Sequence, residues 1–382
     1  MVNGYSEAAW AHGVRDESLL ANARVKTHCQ LFFVSAMWPH PVPNCPATMQ
    51  QNPLSDTQPI ANASASLPFS RRFACNDVDS LAECTHGWSI CLDQLSPGPF
   101  HGTLHEIRFD GMQLLRERVN RSLLKRGHQR AGGTSFSIPL ETAGSGYCGG
   151  TPLRDKALLV SGCTLLPELR TPDHQDVVLL TVPTDALRKL AWIGDRGGDD
   201  AMLSSDTRIA RVPTARYEAL KSLLVTGFSA ADTCERPLAH RQARKALRDA
   251  ILVELADALQ AAGPSVRLTP SARRRVVDRV RDLVVSQPGV PLTVLDVCHA
   301  VGASRRKLQY CFEEILGTHP AWYLRVVRLN AVRRELREQS PASASVSDVA
   351  CRWGFWHLSR FATHYRELFG ELPSDTLKRP PR

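Results

Sequence analysis

The sequence predicts an α+β protein: a β-rich N-terminal part, a helical connector, and an all-α C-terminal domain of two helix-turn-helix units joined by a linker helix. Between about Phe73 and Trp192, short apolar runs alternate with turn dipeptides such as Asp110-Gly111, the signature of strands. From Tyr217 onward the apolar residues recur three and four apart, the period of helices. Near the C-terminus two glycine turns, Val301-Gly302-Ala303 and Trp353-Gly354-Phe355, each sit between two short amphipathic segments.

Residues 1–68 are rich in Pro, Asn, Ser and Ala and read as a flexible extension; Met49 offers an alternative start, which N-terminal sequencing of the native protein would test. Residues 69–213 read as an effector or regulatory domain, a small cupin-like barrel or a sandwich. Strands are expected at Ile107-Arg108-Phe109, Ala157 to Ser161 and Val177 to Val182, and a short helix at Asp185 to Ala191 with Thr184 as its cap. Residues 214–263 form the connector. Tyr217, Leu220, Leu223 and Leu224, then Leu247, Ile251, Leu252, Leu255 and Leu259, make two helical stripes that face each other or a second subunit.

Charge separates the halves. Lysine and arginine number 47 against 38 acidic residues, a formal +9. From Gly263 to Arg382 there are 20 basic and 11 acidic residues, so this segment holds all of the +9, and the first 262 residues, with 27 of each, are neutral. Such a distribution suits a polyanion-binding domain attached to an uncharged sensing part. No apolar run approaches the roughly 20 residues needed to span a bilayer, so a cytoplasmic protein with no membrane partner is expected. The eleven cysteines include no C-x-x-C pair and read as reduced, apolar thiols rather than a zinc or disulfide framework.

The basic domain, residues 264–382, starts at Thr269-Pro270-Ser271, with Val276, Val277, Val280, Leu283 and Val284 on the apolar face of its first helix. A second helix begins near Thr293. Gly302 turns the chain, and Ser304 caps a third helix whose Leu308, Cys311 and Phe312 face inward. Ser304, Arg305, Arg306, Lys307, Gln309 and Tyr310 are thereby left at the end that enters the major groove in this motif, where Arg suits guanine and Gln suits adenine. Ala321 to Glu338 forms the linker helix, a rod of roughly 27 Å at about 1.5 Å per residue, with Arg325, Arg328, Arg333, Arg334 and Arg337 as its charge. The second unit repeats the pattern: Phe355, Phe361, Tyr365 and Phe369 anchor a recognition helix, and Trp356, His357, Ser359, Arg360, Thr363 and His364 form its outward face.

With YLRVVRLNAVRREL between the units and GFWHLSRFATHYRELFGELPS after them, the run Pro291 to Arg379 resembles the AraC/XylS family of transcription regulators. Ala350, Gly354, Phe355, Phe361, Phe369, Gly370 and Pro373 fill the family pattern. The resemblance implies a seven-helix domain with two helix-turn-helix units, an N-terminal effector or dimerisation domain, double-stranded DNA and RNA polymerase as partners, transcription activation, and a possible homodimer. Within the family, LTVLDVCHAVGASRRKLQYCFEEILG and, upstream, QLSPGPFHGTLHEIRFDGMQLLRE at residues 94–117 are most similar to regulators of ethanolamine-utilisation operons. That similarity implies ethanolamine or a related amine as effector, with adenosylcobalamin.

The competing class is an enzyme or metal-binding cupin-like domain with an appended DNA-binding domain. His101, His105 and Glu106 would suit divalent-metal ligation, but a later His on a partnering strand is missing. Gly197-Gly198 lacks the Gly-Lys-Ser/Thr ending of a phosphate loop, and Gly144-Ser145-Gly146 lacks the spacing of a nucleophile elbow. The sequence therefore predicts no enzyme and no metal.

Overall fold

The structure, a computed structural model, describes residues 69–382 apart from 110, 130–132, 154–155, 163–164, 194–205, 233–237, 239, 269–270, 288–289, 341–343 and 380–382. The extension predicted over 1–68 with Met49, the Gly197-Gly198 pair, the Thr269-Pro270 start signal, and Cys29, Cys45, Cys163 and Cys234 lie outside the described residues.

Thirteen strands among the described residues build two antiparallel sheets. They are β1 (Ser70–Cys75), β2 (Trp88–Gln94), β3 (Gly102–Phe109), β4 (Met112–Val119), β5 (Leu123–Gln129), β6 (Thr134–Ala143), β7 (Gly146–Cys148), β8 (Thr151–Leu153), β9 (Ala157–Ser161), β10 (Leu165–Arg170), β11 (His174–Val182), β12 (Thr207–Arg211) and β13 (Val266–Arg267). One sheet has the order β1-β3-β4-β11-β6-β9-β12-β13 and the other β2-β5-β10-β7-β8. Helix α1 (Val78–Cys84) follows β1, and its N-cap Asp77 accepts from the Ser80 amide. The β3-β4 hairpin pairs Phe109 with Met112, the two-residue loop that Asp110-Gly111 predicts.

Neighbouring residues of a strand point to opposite faces, and the larger sheet is buried on both. Leu114, Leu158, Val160, Val178 and Leu180 face a helical layer made by α3 (Thr214–Asp232) and α4 (Arg241–Gln260), which contributes Leu220, Leu224, Phe228, Ile251 and Leu255. The intervening Leu104 and Leu115 instead meet Trp88, Leu92 and Leu123 of the smaller sheet. The connector stripes are therefore core of this chain, not a bare dimer face. The short helix α2 (Thr184–Ile193) takes Thr184 as its first residue rather than its cap.

Seven helices follow among the described residues: α5 (Ala272–Ser286), α6 (Val294–Val301), α7 (Arg305–Leu316), α8 (Pro320–Glu338), α9 (Val346–Arg352), α10 (Leu358–Phe369) and α11 (Pro373–Lys378). One hydrophobic core runs through both helix-turn-helix units, from Val280, Val297, Leu308 and Phe312 to Val349, Phe361 and Tyr365. Leu95 and Leu124 of the β-rich part belong to the same core, so the two parts are packed together. No helix among the described residues is long and apolar enough to cross a membrane.

Candidate nucleic-acid interface

The first unit is built by local signals. Thr293 and Asp296 form a reciprocal capping box at the start of α6. Gly302 ends that helix at φ 64°, in the left-handed region where a side chain is disfavoured. Ser304 Oγ then accepts the Lys307 amide at 3.2 Å, capping α7. Leu308, Cys311 and Phe312 are buried beneath, while Arg305, Arg306, Lys307, Gln309 and Tyr310 are exposed.

These exposed groups are not equally available. The Arg306 guanidinium lies 5.6 Å over the Tyr310 ring, with its Nη2 3.4 Å from the phenol oxygen, so the stack holds it at the helix end. Gln309 Nε2 donates to Glu313 at 2.9 Å and sits 3.1 Å from His319 Nδ1, contacts it must exchange to read a base. A concavity at this end is lined by Ser304, Arg306, Lys307, Tyr310, Glu314 and also Arg273 of α5, which pairs with Glu314. Sequence reasoning did not single out Arg273; its signal was the basic run Arg273-Arg274-Arg275 after the N-cap Ser271.

In the second unit Gly354 adopts φ 77°, and a Cβ there would overlap Pro291. Helix α10 begins at Leu358, with His357 at its N-cap position and making no side-chain capping bond. Phe361, Tyr365, Leu368 and Phe369 are buried; Trp356, His357, Ser359, Arg360 and Thr363 are exposed, and His364 is half-buried. Burial, and then the neighbouring Arg325 charge, lowers the His364 pKa, so it offers a neutral imidazole near pH 7 rather than a cation. The Thr363 hydroxyl donates to the Ser359 carbonyl at 3.0 Å.

The linker helix α8 has 19 residues, roughly 28 Å of rod at about 1.5 Å each. Its arginines divide. Arg325 and Arg328 flank the second unit, with Arg328 stacked 5.4 Å over Phe355 and donating to the Leu324 carbonyl at 3.1 Å. Arg333, Arg334 and Arg337, read from sequence as charge on the rod, turn inward instead. Arg333 pairs with Glu371 at 3.0 Å, Arg337 with Asp77 at 3.0 Å, and Arg334 with Asp79 at 2.8 Å and Asp93 at 2.6 Å. The cause is simple: the partners of Arg334 and Arg337 lie on the β-rich part, which packs along this face of the helix, and Arg333 is closed off by Glu371 of its own domain.

The β-rich part also grips the far end of each recognition helix. Arg170 Nη1 donates to the carbonyls of Leu316 at 2.5 Å and Gly317 at 2.8 Å, where α7 ends. At the end of α10, the Gly98 amide donates to Glu367 and Leu368 carbonyls at 2.9 and 3.1 Å, and Gln94 Nε2 donates to Leu368 at 2.6 Å. Terminal helix carbonyls that would otherwise lack partners are satisfied in this way. Both N-terminal ends, with their basic and aromatic side chains, stay outward.

Between the parts lies a buried polar cluster. Glu168 on β10 is 3% exposed, and neither carboxylate oxygen has a hydrogen-bond partner; Arg281 of α5 is 3.6 Å away. Burial outweighs the charges of Arg126 and Arg281 and pushes its carboxyl up to about 7. The Tyr323 hydroxyl of α8, also buried and unpartnered, belongs to the same cluster.

The metal-ligating alternative finds its residues engaged in packing. His105 Nε2 lies 2.8 Å from Ser70 Oγ, and burial followed by Arg72, Arg116 and Arg118 pushes its pKa down to about 4. Glu106 is enclosed by Arg71, Arg108 and Gln113. The His101 ring Nδ1 lies 3.2 Å from Asn76 Oδ1, and its backbone amide donates to Asn120 Oδ1.

Residues 297–379 match a family model described as a helix-turn-helix domain. The chain is 44% identical over 91 residues to the probable thc operon regulatory protein of Rhodococcus erythropolis, covering 24% of this chain and 27% of that one. It is 45% identical over 75 residues to the XylDLEGF operon transcriptional activator of Pseudomonas putida, covering 20% and 23%. The matched stretch thus spans about a quarter of the length of these curated relatives. Among solved structures, the AraC-like transcriptional activator CuxR aligns with 73% of this chain and 99% of its own at 13% identity and a TM-score of 0.36. By local geometry and by similarity alike, residues 297–379 form a helix-turn-helix domain.

Proposed function

We propose that this protein is a sequence-specific DNA-binding transcription regulator, an activator of an operon, whose β-rich part senses a small molecule. The observation that supports it best is the outward presentation of two recognition-helix ends from one shared core, on the segment that holds the whole net charge. Arg305, Arg306 and Lys307 on one helix, and Arg360 with Arg325 and Arg328 at the other, supply base and phosphate contacts. The matched relatives are named as operon regulators, which agrees with this reading.

The sensing role rests on a cavity of about 120 Å³ between the two sheets. Its walls are mainly apolar, among them Trp88, Leu115, Leu159 and Leu166, with Glu117, Lys125 and Gln175 as polar groups. Lys125 pairs with Glu117, and Gln175 Nε2 donates to the same carboxylate at 2.8 Å. The buried indole N–H of Trp88 has no partner. A compact apolar molecule carrying a hydrogen-bond acceptor would fill this space; an apolar cavity of about 150 Å³ accepts a benzene-sized guest. For the finer reading, control of an ethanolamine or other amine operon, Glu117 is the cavity's carboxylate, and an amine would bind it by displacing the Lys125 ammonium. Adenosylcobalamin is many times larger than the cavity and gains no support from it.

Genome-wide DNA occupancy, measured with and without candidate amines and small aromatic acids, tests both levels. Enrichment upstream of one operon that shifts with a ligand is the expected result. Occupancy no different from a variant lacking residues 264–382 would sink the DNA-binding reading, whereas occupancy indifferent to every ligand would sink only the sensing role.

A further inference from the structure

The two recognition ends differ in chemistry. At the start of α7 stand three consecutive cations, Arg305, Arg306 and Lys307, and the one aromatic, Tyr310, is covered by the Arg306 guanidinium. The start of α10 instead presents apolar surface: Trp356 is 68% exposed and Leu358 43%. Neither is spent on the core, which is made by Phe361, Tyr365, Leu368 and Phe369. Cations flank this apolar end, Arg360 on the helix itself and Arg325 and Arg328 on the linker, which suits the phosphates on either side of a groove.

Resting on the DNA-binding reading, we propose that the two units read their half-sites by different chemistry: the first by charged hydrogen bonds, the second by seating a thymine methyl group against Trp356 and Leu358. The thymine 5-methyl is the apolar feature of the major-groove code, and an exposed indole beside a leucine at the entering end of a recognition helix is complementary to it. Arginine and lysine at the first unit match guanine O6 and N7 and the phosphates.

Duplexes selected by the full-length chain from a random library provide the probe. Each thymine is then replaced singly by deoxyuridine, which keeps the pairing and removes only the methyl. Half-sites are assigned by the base preferences that Arg306→Ala erases. In the other half-site, at least one such replacement should weaken binding about three- to fivefold, the worth of one buried methyl group. That ratio should fall to one in Trp356→Ala and persist in Arg306→Ala. Because Trp356 is largely outside the core, the variant should melt like the parent. An unchanged thymine-to-uridine ratio in Trp356→Ala overturns the proposal, as does a second half-site indifferent to every methyl. Unaltered DNA affinity with lost transcription activation in Trp356→Ala overturns it too, assigning the indole to a protein partner. If no sequence is enriched at all, the DNA-reading function itself fails.

Discussion

Asn330 and Gln94 exchange two hydrogen bonds: the Gln94 amide donates to Asn330 Oδ1 at 2.9 Å, and Asn330 Nδ2 donates to the Gln94 carbonyl at 3.1 Å. Both residues are buried, and Asn330 sits in the middle of the linker helix. A side-chain amide here plays the part of a neighbouring strand, completing the backbone pairing at the end of β2. The second Asn330 donation, to the Val326 carbonyl at 2.9 Å, fixes the rotamer.

Asn330→Ala strands a buried N–H and a buried C=O on Gln94, each costing about 1–3 kcal/mol when left unpaired. We expect a loss on the order of 2–4 kcal/mol in chemical denaturation. Asn330→Asp keeps the acceptor, loses the donor and introduces a charge into a buried site, so it should not rescue. Stability equal to the parent in Asn330→Ala would show that the joint does not depend on this pair.

Much of the DNA-facing architecture was legible in the sequence because its signals are local. Ser304, Thr293 and Gly302 announce helix ends within four residues of the groups they bond, and the spacing of Leu308, Cys311 and Phe312 is the helix period itself. The role of Arg334 was not legible. Its partners Asp79 and Asp93 lie about 240 to 255 positions away, and no periodicity connects them. Strands β1 and β2 also escaped notice. In β2 the polar Asp93 and Gln94 are buried against the helical domain rather than exposed, so the polar-out alternation is lost; β1, SRRFAC, has only Phe73, Ala74 and Cys75 as apolar residues, in one run with no alternation. For β9 the reason is the reverse: Ala157 to Ser161 is buried on both faces, giving an apolar run that fixes a strand but says nothing of the layers above and below.

Glu168 makes the joint between the parts pH-dependent. Its carboxyl titrates at about 7 in the packed state against an ordinary value of 4.5. Below 4.5 both states are protonated. Between 4.5 and about 7 the packed state holds a proton that the separated state has released, so stability is lost as pH rises through this window and is flat above it. Asp278, Asp93, Arg126 and Arg281 face the same group, and burial prevails over the two arginines. The difference in unfolding free energy between the parent and Glu168→Gln should change by on the order of 3 kcal/mol from pH 4.5 to 7.5, with Gln favoured at the high end. Parallel pH profiles would refute the assignment; the difference removes the opposite slope from His105, whose pKa of about 4 makes acid destabilising.

Gly354→Val places a β-branched side chain at φ 77° and into Pro291. Left-handed strain alone is about 1–2 kcal/mol, and the overlap adds to it. Melting should fall by several degrees, with loss of DNA binding by the second unit first. Gly302→Ala, which meets no neighbouring atom within 4 Å, should show only the backbone strain. Equal melting of Gly354→Val and the parent would reject the turn geometry.

Arg306 and Arg360 occupy comparable places at the two helix starts but not comparable surroundings. Arg306 is held by the Tyr310 ring, so its guanidinium meets a base edge with little left to order, whereas Arg360 is exposed beside apolar Trp356 and Leu358. Pre-ordering converts into affinity because fewer rotamers are lost on binding. Arg306→Ala should therefore cost about 1–3 kcal/mol at a cognate site and relax preference at one base pair. Tyr310→Leu should reproduce part of that loss without removing any charge. Arg360→Ala should weaken binding nearly uniformly across sequences and lower the salt slope by about one. Titrations over 50–200 mM salt on selected and scrambled duplexes separate the two outcomes. A sequence-independent loss in Arg306→Ala would move that arginine from base reading to phosphate contact.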